Sequence, residues 1–147
     1  YKRINRNEIR AMIIDASVVV KWLNSNELDS DKALILYEEH VKKEKQISVP
    51  QLLFIEIANY LATNTNTSEA NIKKSLNFLY ESGLIILTVT EDLLIEAATL
   101  AKKHKTSVYD MIYAVLAKKN NTKLITADNK FANKVKFSFI ETLSKLN

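Results

Sequence analysis

The 147-residue sequence has no cysteine, a single glycine (Gly83), a single proline (Pro50), and no arginine beyond position 10. The lack of cysteine excludes a disulfide framework, a thiolate nucleophile and a zinc–cysteine site. No apolar run approaches the ~20 residues a membrane helix needs. No apolar h-region follows the basic start, so no secretory signal is expected. A cytoplasmic setting without membrane attachment is therefore the expectation. Scarce Gly and Pro leave no evident linker, and no internal repeat occurs at solenoid periods.

What the sequence does contain is ordinary for a folded domain: 47% apolar and 26% charged residues, in a length that suits one core. The net charge of +4 hints at nucleic acid. Its distribution weakens the hint, because Lys2, Arg3, Arg6 and Arg10 oppose only Glu8 and leave +1 for the rest. Residues 1–11 read as an N-terminal extension or an expression remnant outside the fold. Residues 12–147 read as one domain starting at Met12.

Short apolar strands alternate with amphipathic helices. Strands are expected at Met12-Ile13-Ile14, Ile47-Ser48-Val49, 84–89, 123–127 and 137–140. Between them, helical spacing joins Val18, Val19 and Trp22, then Ala33, Leu34, Tyr37 and Val41 after an N-cap at Ser30. Pro50 suits the first position of a helix carrying Leu53, Ile57, Tyr60 and Leu61. Ser68 opens a helix that Gly83 ends. Thr90 caps one carrying Leu94, Ala97, Ala98 and Ala101, and Ser107 caps the last long one, with Met111, Ile112, Val115 and Leu116. Such alternation indicates an α/β fold, a parallel sheet covered on both faces, whose sites form beyond the carboxyl ends of the strands.

Most acidic residues sit among lysines on polar helix faces, where solvation explains them. Four do not. Asp15 and Asp128 each follow a strand directly. Glu56 lies between Ile55 and Ile57, where an unpaired buried carboxylate costs several kcal/mol. Asp110 stands at the third position after Ser107 and faces Tyr113, Ala114 and Ala117. Taken singly, Asp15, Asp110 and Asp128 can each be a helix cap, and Glu56 can reach solvent from an edge. Taken together they belong to one edge of the sheet. Carboxylates sharing a site raise one another's pKa unless a cation intervenes. Oxygen ligands favour a hard ion, Mg2+ or Mn2+, over zinc. His40 and His104 are expected to be solvated surface residues, and the lysine groups near 42–45, 102–105 and 118–119 to complement helix C-termini.

The blocks Ile14-Asp15-Ala16-Ser17, Pro50-Gln51-Leu52-Leu53-Phe54-Ile55-Glu56-Ile57-Ala58-Asn59, Ser107-Val108-Tyr109-Asp110-Met111-Ile112-Tyr113-Ala114-Val115-Leu116-Ala117 and Leu124-Ile125-Thr126-Ala127-Asp128 resemble, in order, those of PIN-domain nucleases, and most closely the VapC-type toxins of toxin–antitoxin pairs. The resemblance implies a three-layer α/β/α fold with a mainly parallel five-stranded sheet of order 3-2-1-4-5. It further implies a Mg2+- or Mn2+-dependent endoribonuclease acting on RNA, a homodimer and a cognate antitoxin. Asp15, Glu56, Asp110 and Asp128 would be the catalytic and metal-binding acids, with Ser17, Asn59 and Thr126 orienting them. The chain departs from expectation in lacking arginine in its body, so phosphate binding would rest on lysines. Three other readings compete: a catalytically silent PIN scaffold binding RNA or protein, a receiver or haloacid-dehalogenase type of phosphoryl-transfer domain, and a structural domain in which all four acids are caps. Asp15-Ala16-Ser17 lacks the second Asp of the haloacid type.

Overall fold

The computed structural model describes residues 10–64 and 66–147. Five strands, β1 (Arg10–Ile14), β2 (Lys45–Pro50), β3 (Ile85–Leu87), β4 (Lys123–Thr126) and β5 (Ile140–Thr142), form one sheet in the order β3-β2-β1-β4-β5. All four pairings are parallel. Seven helices connect them among the described residues: α1 (Ala16–Leu23), α2 (Ser30–Val41), α3 (Leu52–Thr63), α4 (Glu69–Glu81), α5 (Glu91–His104), α6 (Val108–Lys119) and α7 (Asn129–Val135). The α/β architecture and strand order match the expectation. Residues 1–9 of the expected extension lie outside the described residues. β1 takes in Arg10 and Ala11, two positions ahead of the expected start. No described helix is long and apolar enough to cross a membrane.

The sheet's centre is β1 and β4, whose Ile13, Ile14, Leu124 and Ile125 are almost fully buried. α6 packs on β1, β2 and β4, and α5 covers its other side. That sandwiching explains why every residue from Met111 to Ala117 is buried, whatever its place around the helix. An N-terminus so placed delivers Asp110 to the carboxyl edge of the two central strands.

Local signals act where they are self-contained. The hydroxyls of Ser68, Thr90 and Ser107 each accept the backbone N–H three residues on. Gly83 follows α4 with φ +75°, the left-handed conformation expected of a helix-ending glycine. With no second glycine available, α5 and α7 end on lysines instead, Lys105 at φ 56° and Lys136 at φ 54°.

Where burial depends on distant partners, the structure differs from the expectation. Ser30 is the first residue of α2, not its cap; Asp29 precedes it at φ 60° and the Ser30 hydroxyl donates to the Ser25 carbonyl. The buried face of α2 is Ala33, Leu36 and His40, one step around from Leu34 and Val41. α5 likewise buries Leu93, Ala97 and Ala101 and leaves Leu94 and Ala98 exposed. Pro50 ends β2 rather than starting α3. β5 begins at Ile140, because Phe137 and Phe139 stack on each other ahead of it, ring centroids 5.4 Å apart. His40 is buried and not solvated: its Nδ1 accepts from the Ile47 N–H at 3.1 Å, which places the ring proton on Nε2, 3.0 Å from the Ser82 carbonyl. His104 is half-buried, edge-on to Phe137.

Candidate active site

The carboxyl edge is organised around Asp15. The residue follows β1 and caps α1, its Oδ1 accepting from the Ser17 N–H at 3.1 Å. Ile14 pairs with Ile125 in register, so the end of β4 lies beside it. Two hydroxyls complete its shell. Ser17 Oγ donates to Oδ1 and accepts from the Ala127 N–H at 2.9 Å. Thr126 Oγ1 donates to Oδ2 and accepts from the Asp128 N–H at 3.0 Å. Each hydroxyl has one proton and spends it on Asp15, its acceptor role being filled by a backbone amide. Donors of this kind favour the ionised carboxylate. Burial opposes them and dominates, and the charge of Asp110 adds to it, so the Asp15 carboxyl is pushed up to about 6.

Asp128 stands on the neighbouring strand end. It is half-buried and caps α7, its Oδ1 accepting from the Phe131 N–H at 2.9 Å. Thr126 thus bridges the two acids, through its hydroxyl to Asp15 and through the Asp128 amide. Asp110 enters at the start of α6, its own N–H held by Ser107 Oγ at 3.1 Å. Burial raises its carboxyl, the Ser107 hydroxyl draws it back, and the charge of Asp128 raises it further.

Glu56, on the second turn of α3, is half-buried, and its Oε1 accepts from the Tyr113 hydroxyl at 2.7 Å. Burial raises this carboxyl too, partly offset by the Tyr113 bond, with the charge of Asp110 adding to the rise. Tyr113 is 1% exposed, and burial beside Glu56 keeps its phenol protonated well above the usual range. The residue passed over in the sequence is this tyrosine. Its signal was present: it stands three residues after Asp110, on the same face of α6.

The structure therefore brings Asp15, Asp110, Asp128 and Glu56 into one electrostatic group, with Asp110 felt by Asp15 and Glu56 and itself feeling Asp128. Ser17 and Thr126 touch Asp15. Asn59 is exposed, and among the described residues its side chain bonds to none of the four acids. No three acidic or histidine side chains among the described residues close on one point at ligand spacing as they stand. The donor set still fits a hard divalent cation. It consists of carboxylate and hydroxyl oxygens, no thiolate exists in the chain, and three of the four carboxyls are raised by burial and mutual repulsion, a state that a cation would relieve.

The fold and this acidic edge define a class that comparison makes explicit. The sequence matches the PIN domain family model over residues 12–136, and the chain belongs to that family, one of nucleases. No curated protein matches the sequence. Among solved structures, the chain is similar to Mycobacterium tuberculosis VapC20, a sarcin-ricin loop cleaving toxin, with a TM-score of 0.69 at 14% identity over 88% of this chain and 97% of that one. It is also similar to the Rickettsia felis VapBC2 complex bound to promoter DNA, with a TM-score of 0.67 at 15% identity over 90% and 98%. A toxin–antitoxin complex from Klebsiella pneumoniae gives 0.68 at 13% over 92% and 99%. At such identities the likeness is one of fold.

Proposed function

We propose that this chain is a Mg2+- or Mn2+-dependent endoribonuclease and the toxin of a toxin–antitoxin pair. The observation that carries the reading is the electrostatic group at the carboxyl edge: four acids from four elements whose burial and repulsion are not relieved by any basic side chain bonded to them among the described residues. Structural carboxylates withdrawn from water are normally paired with a basic group, and among the described residues none of these is. The partner in the pair is inferred from the fold shared with toxin–antitoxin complexes.

In this reading Asp15, Glu56, Asp110 and Asp128 hold the ion. When bound, it supplies an acidified water and neutralises charge on the phosphodiester. The chain's own residues do the rest. Ser17 and Thr126 fix both oxygens of Asp15 and keep its charged form available despite burial. Tyr113 engages one oxygen of Glu56, and the other has no hydrogen-bond partner among the described residues. The expected products are a 5′-phosphate and a 3′-hydroxyl. Large apolar side chains left exposed on α3, β3, α5 and α6, among them Ile55, Ile86, Ile95 and Tyr109, support a homodimer in solution, which light scattering tests.

The test is incubation with mixed RNA in Mn2+ or Mg2+, with and without EDTA, beside Asp15→Asn. Cleavage that needs the ion and Asp15 is expected. Cleavage indifferent to both would remove the reading.

A further inference from the structure

A cavity lined by both polar and apolar side chains has no role in the account so far. It measures about 490 Å3, a size that suits a small planar ligand, and it opens where the far ends of α1 and α3 meet α4. Its apolar wall includes Trp22, Tyr60 and Phe78. That wall is rigid. Tyr37 joins Trp22 to Phe78 with ring centroids 5.2 Å apart on either side, and Trp22 Nε1 donates to the Ala33 carbonyl at 2.7 Å.

Its rim is made of amides. The Oδ1 atoms of Asn24 and Asn64 accept from the N–H two residues on, at 3.1 and 3.0 Å, while their Nδ2 groups engage no other described residue. Asn71 stands on the opposite wall, and its side chain bonds to no described residue. Among the described residues Lys74 is the one charged side chain lining the cavity, and none of them is acidic. The described lining thus combines amides, aromatic rings and one cation, on two helices, α1 and α3, that also carry Asp15 at the cap and Glu56.

The distances along the helices are short. Tyr60 lies one turn beyond Glu56 on α3, a rise of about 6 Å, and Trp22 lies about 10 Å along α1 from Asp15. We infer that this cavity is a base-recognition subsite of the RNA substrate, taking one unstacked nucleobase of a nucleotide neighbouring the cut. The inference rests on the nuclease reading for its substrate. Single-stranded RNA is read by stacking bases on aromatic side chains and bonding their edges, which is the chemistry the wall and rim offer. Lys74 would meet the adjoining phosphate.

The test uses the full chain and short single-stranded RNAs of randomised sequence. Asn71→Ala with Lys74→Gln changes two exposed residues, and Asn64→Ala is a separate variant. Binding is read by fluorescence anisotropy in the cleavage-deficient Asp15→Asn background, and specificity by sequencing the cut ends in the wild-type background. The expected result is an affinity loss of roughly tenfold, a salt slope reduced by about one for the lysine, and loss of base preference at one fixed distance from the cut. Affinity and end profile both unchanged, with the wild type cutting normally, would overturn the subsite, leave the nuclease reading intact, and give the cavity to a protein partner. A uniform weakening with an unchanged end profile would also overturn it, because Lys74 would then be a phosphate contact alone. If the wild type does not cut RNA but the variants weaken sequence-selective binding, the subsite stands and the nuclease reading falls.

Discussion

Two buried polar clusters lie towards opposite ends of β2 and its neighbours, and they are built on different terms. At the end where β2 begins, His40 uses both ring nitrogens, one for the Ile47 amide and one for the Ser82 carbonyl, and so ties α2, the start of β2 and the turn after α4 together. Nothing there is left over. At the carboxyl edge, Asp15 receives three donors and is still pushed up to about 6, while Glu56 and Asp110 are raised beside it. A protein can complete a buried polar group from its own backbone, and at His40 it does. Where it leaves carboxylates in one another's field, the missing component comes from outside the chain.

The largest expected effect comes from breaking the incomplete cluster. Asp15→Asn should lower RNA cleavage by at least ~100-fold, more than loss of an outer partner typically costs, while raising thermal stability near neutral pH. Both are read from initial rates and a melting curve. Next is Tyr113→Phe, which deletes the one side-chain hydrogen bond that Glu56 makes among the described residues. A ~10–100-fold loss in metal affinity or rate is expected, and in a Glu56→Gln background the same change should do nearly nothing further, since the two act as one unit. An additive effect would show that the tyrosine serves packing instead.

The pH dependence of stability comes third. The folded Asp15 carboxyl at about 6 lies above its ordinary value of 3.8, so the native state binds more protons than the unfolded chain between those values. Stability without metal should therefore fall as pH rises from about 4 to 6, by on the order of 3 kcal/mol from this group. Asp15→Asn should flatten that slope in urea titrations run across the range, and the activity of the wild type should fall as pH drops through about 6.

On the other side of the comparison, His40→Phe leaves the Ile47 amide and Ser82 carbonyl without their partner. A loss of ~1–3 kcal/mol is expected, about 2–4 °C in Tm for each kcal/mol, with kcat intact. A fall in kcat at unchanged stability would mean that the two ends are coupled. Smallest is Lys136→Gly, which relieves a left-handed lysine at the end of α7 and should add about 0.5–1 kcal/mol in a denaturant titration.

The same contrast governs what was legible in the sequence. Ser68, Thr90, Ser107 and Gly83 act through atoms within three or four residues of themselves, and each could be placed from its neighbours alone. The strand order followed from motif resemblance, and the four acids were nameable because each interrupts an apolar run or ends a strand. Contacts made across the chain were not legible. His40 looks like a polar helix end until Ile47 and Ser82 are brought to it. The buried faces of α2 and α5 depend on which side the sheet and α6 cover, and hydrophobic spacing alone allowed a neighbouring face. Pro50 satisfies a helix start and a strand end equally well by its φ, and pairing of β2 with β3 decided for the strand. Tyr113 needed Glu56, fifty-seven positions away, to become more than a core aromatic.

Mn2+ uptake by the isolated chain, followed by electron paramagnetic resonance at pH 7.5 and at pH 5, tests the central claim most directly. Saturable binding at the higher pH, weakened at the lower and abolished by Asp15→Asn, is the predicted result. No binding at millimolar Mn2+, or binding that Asp15→Asn leaves unchanged, would contradict a cation site formed by these acids.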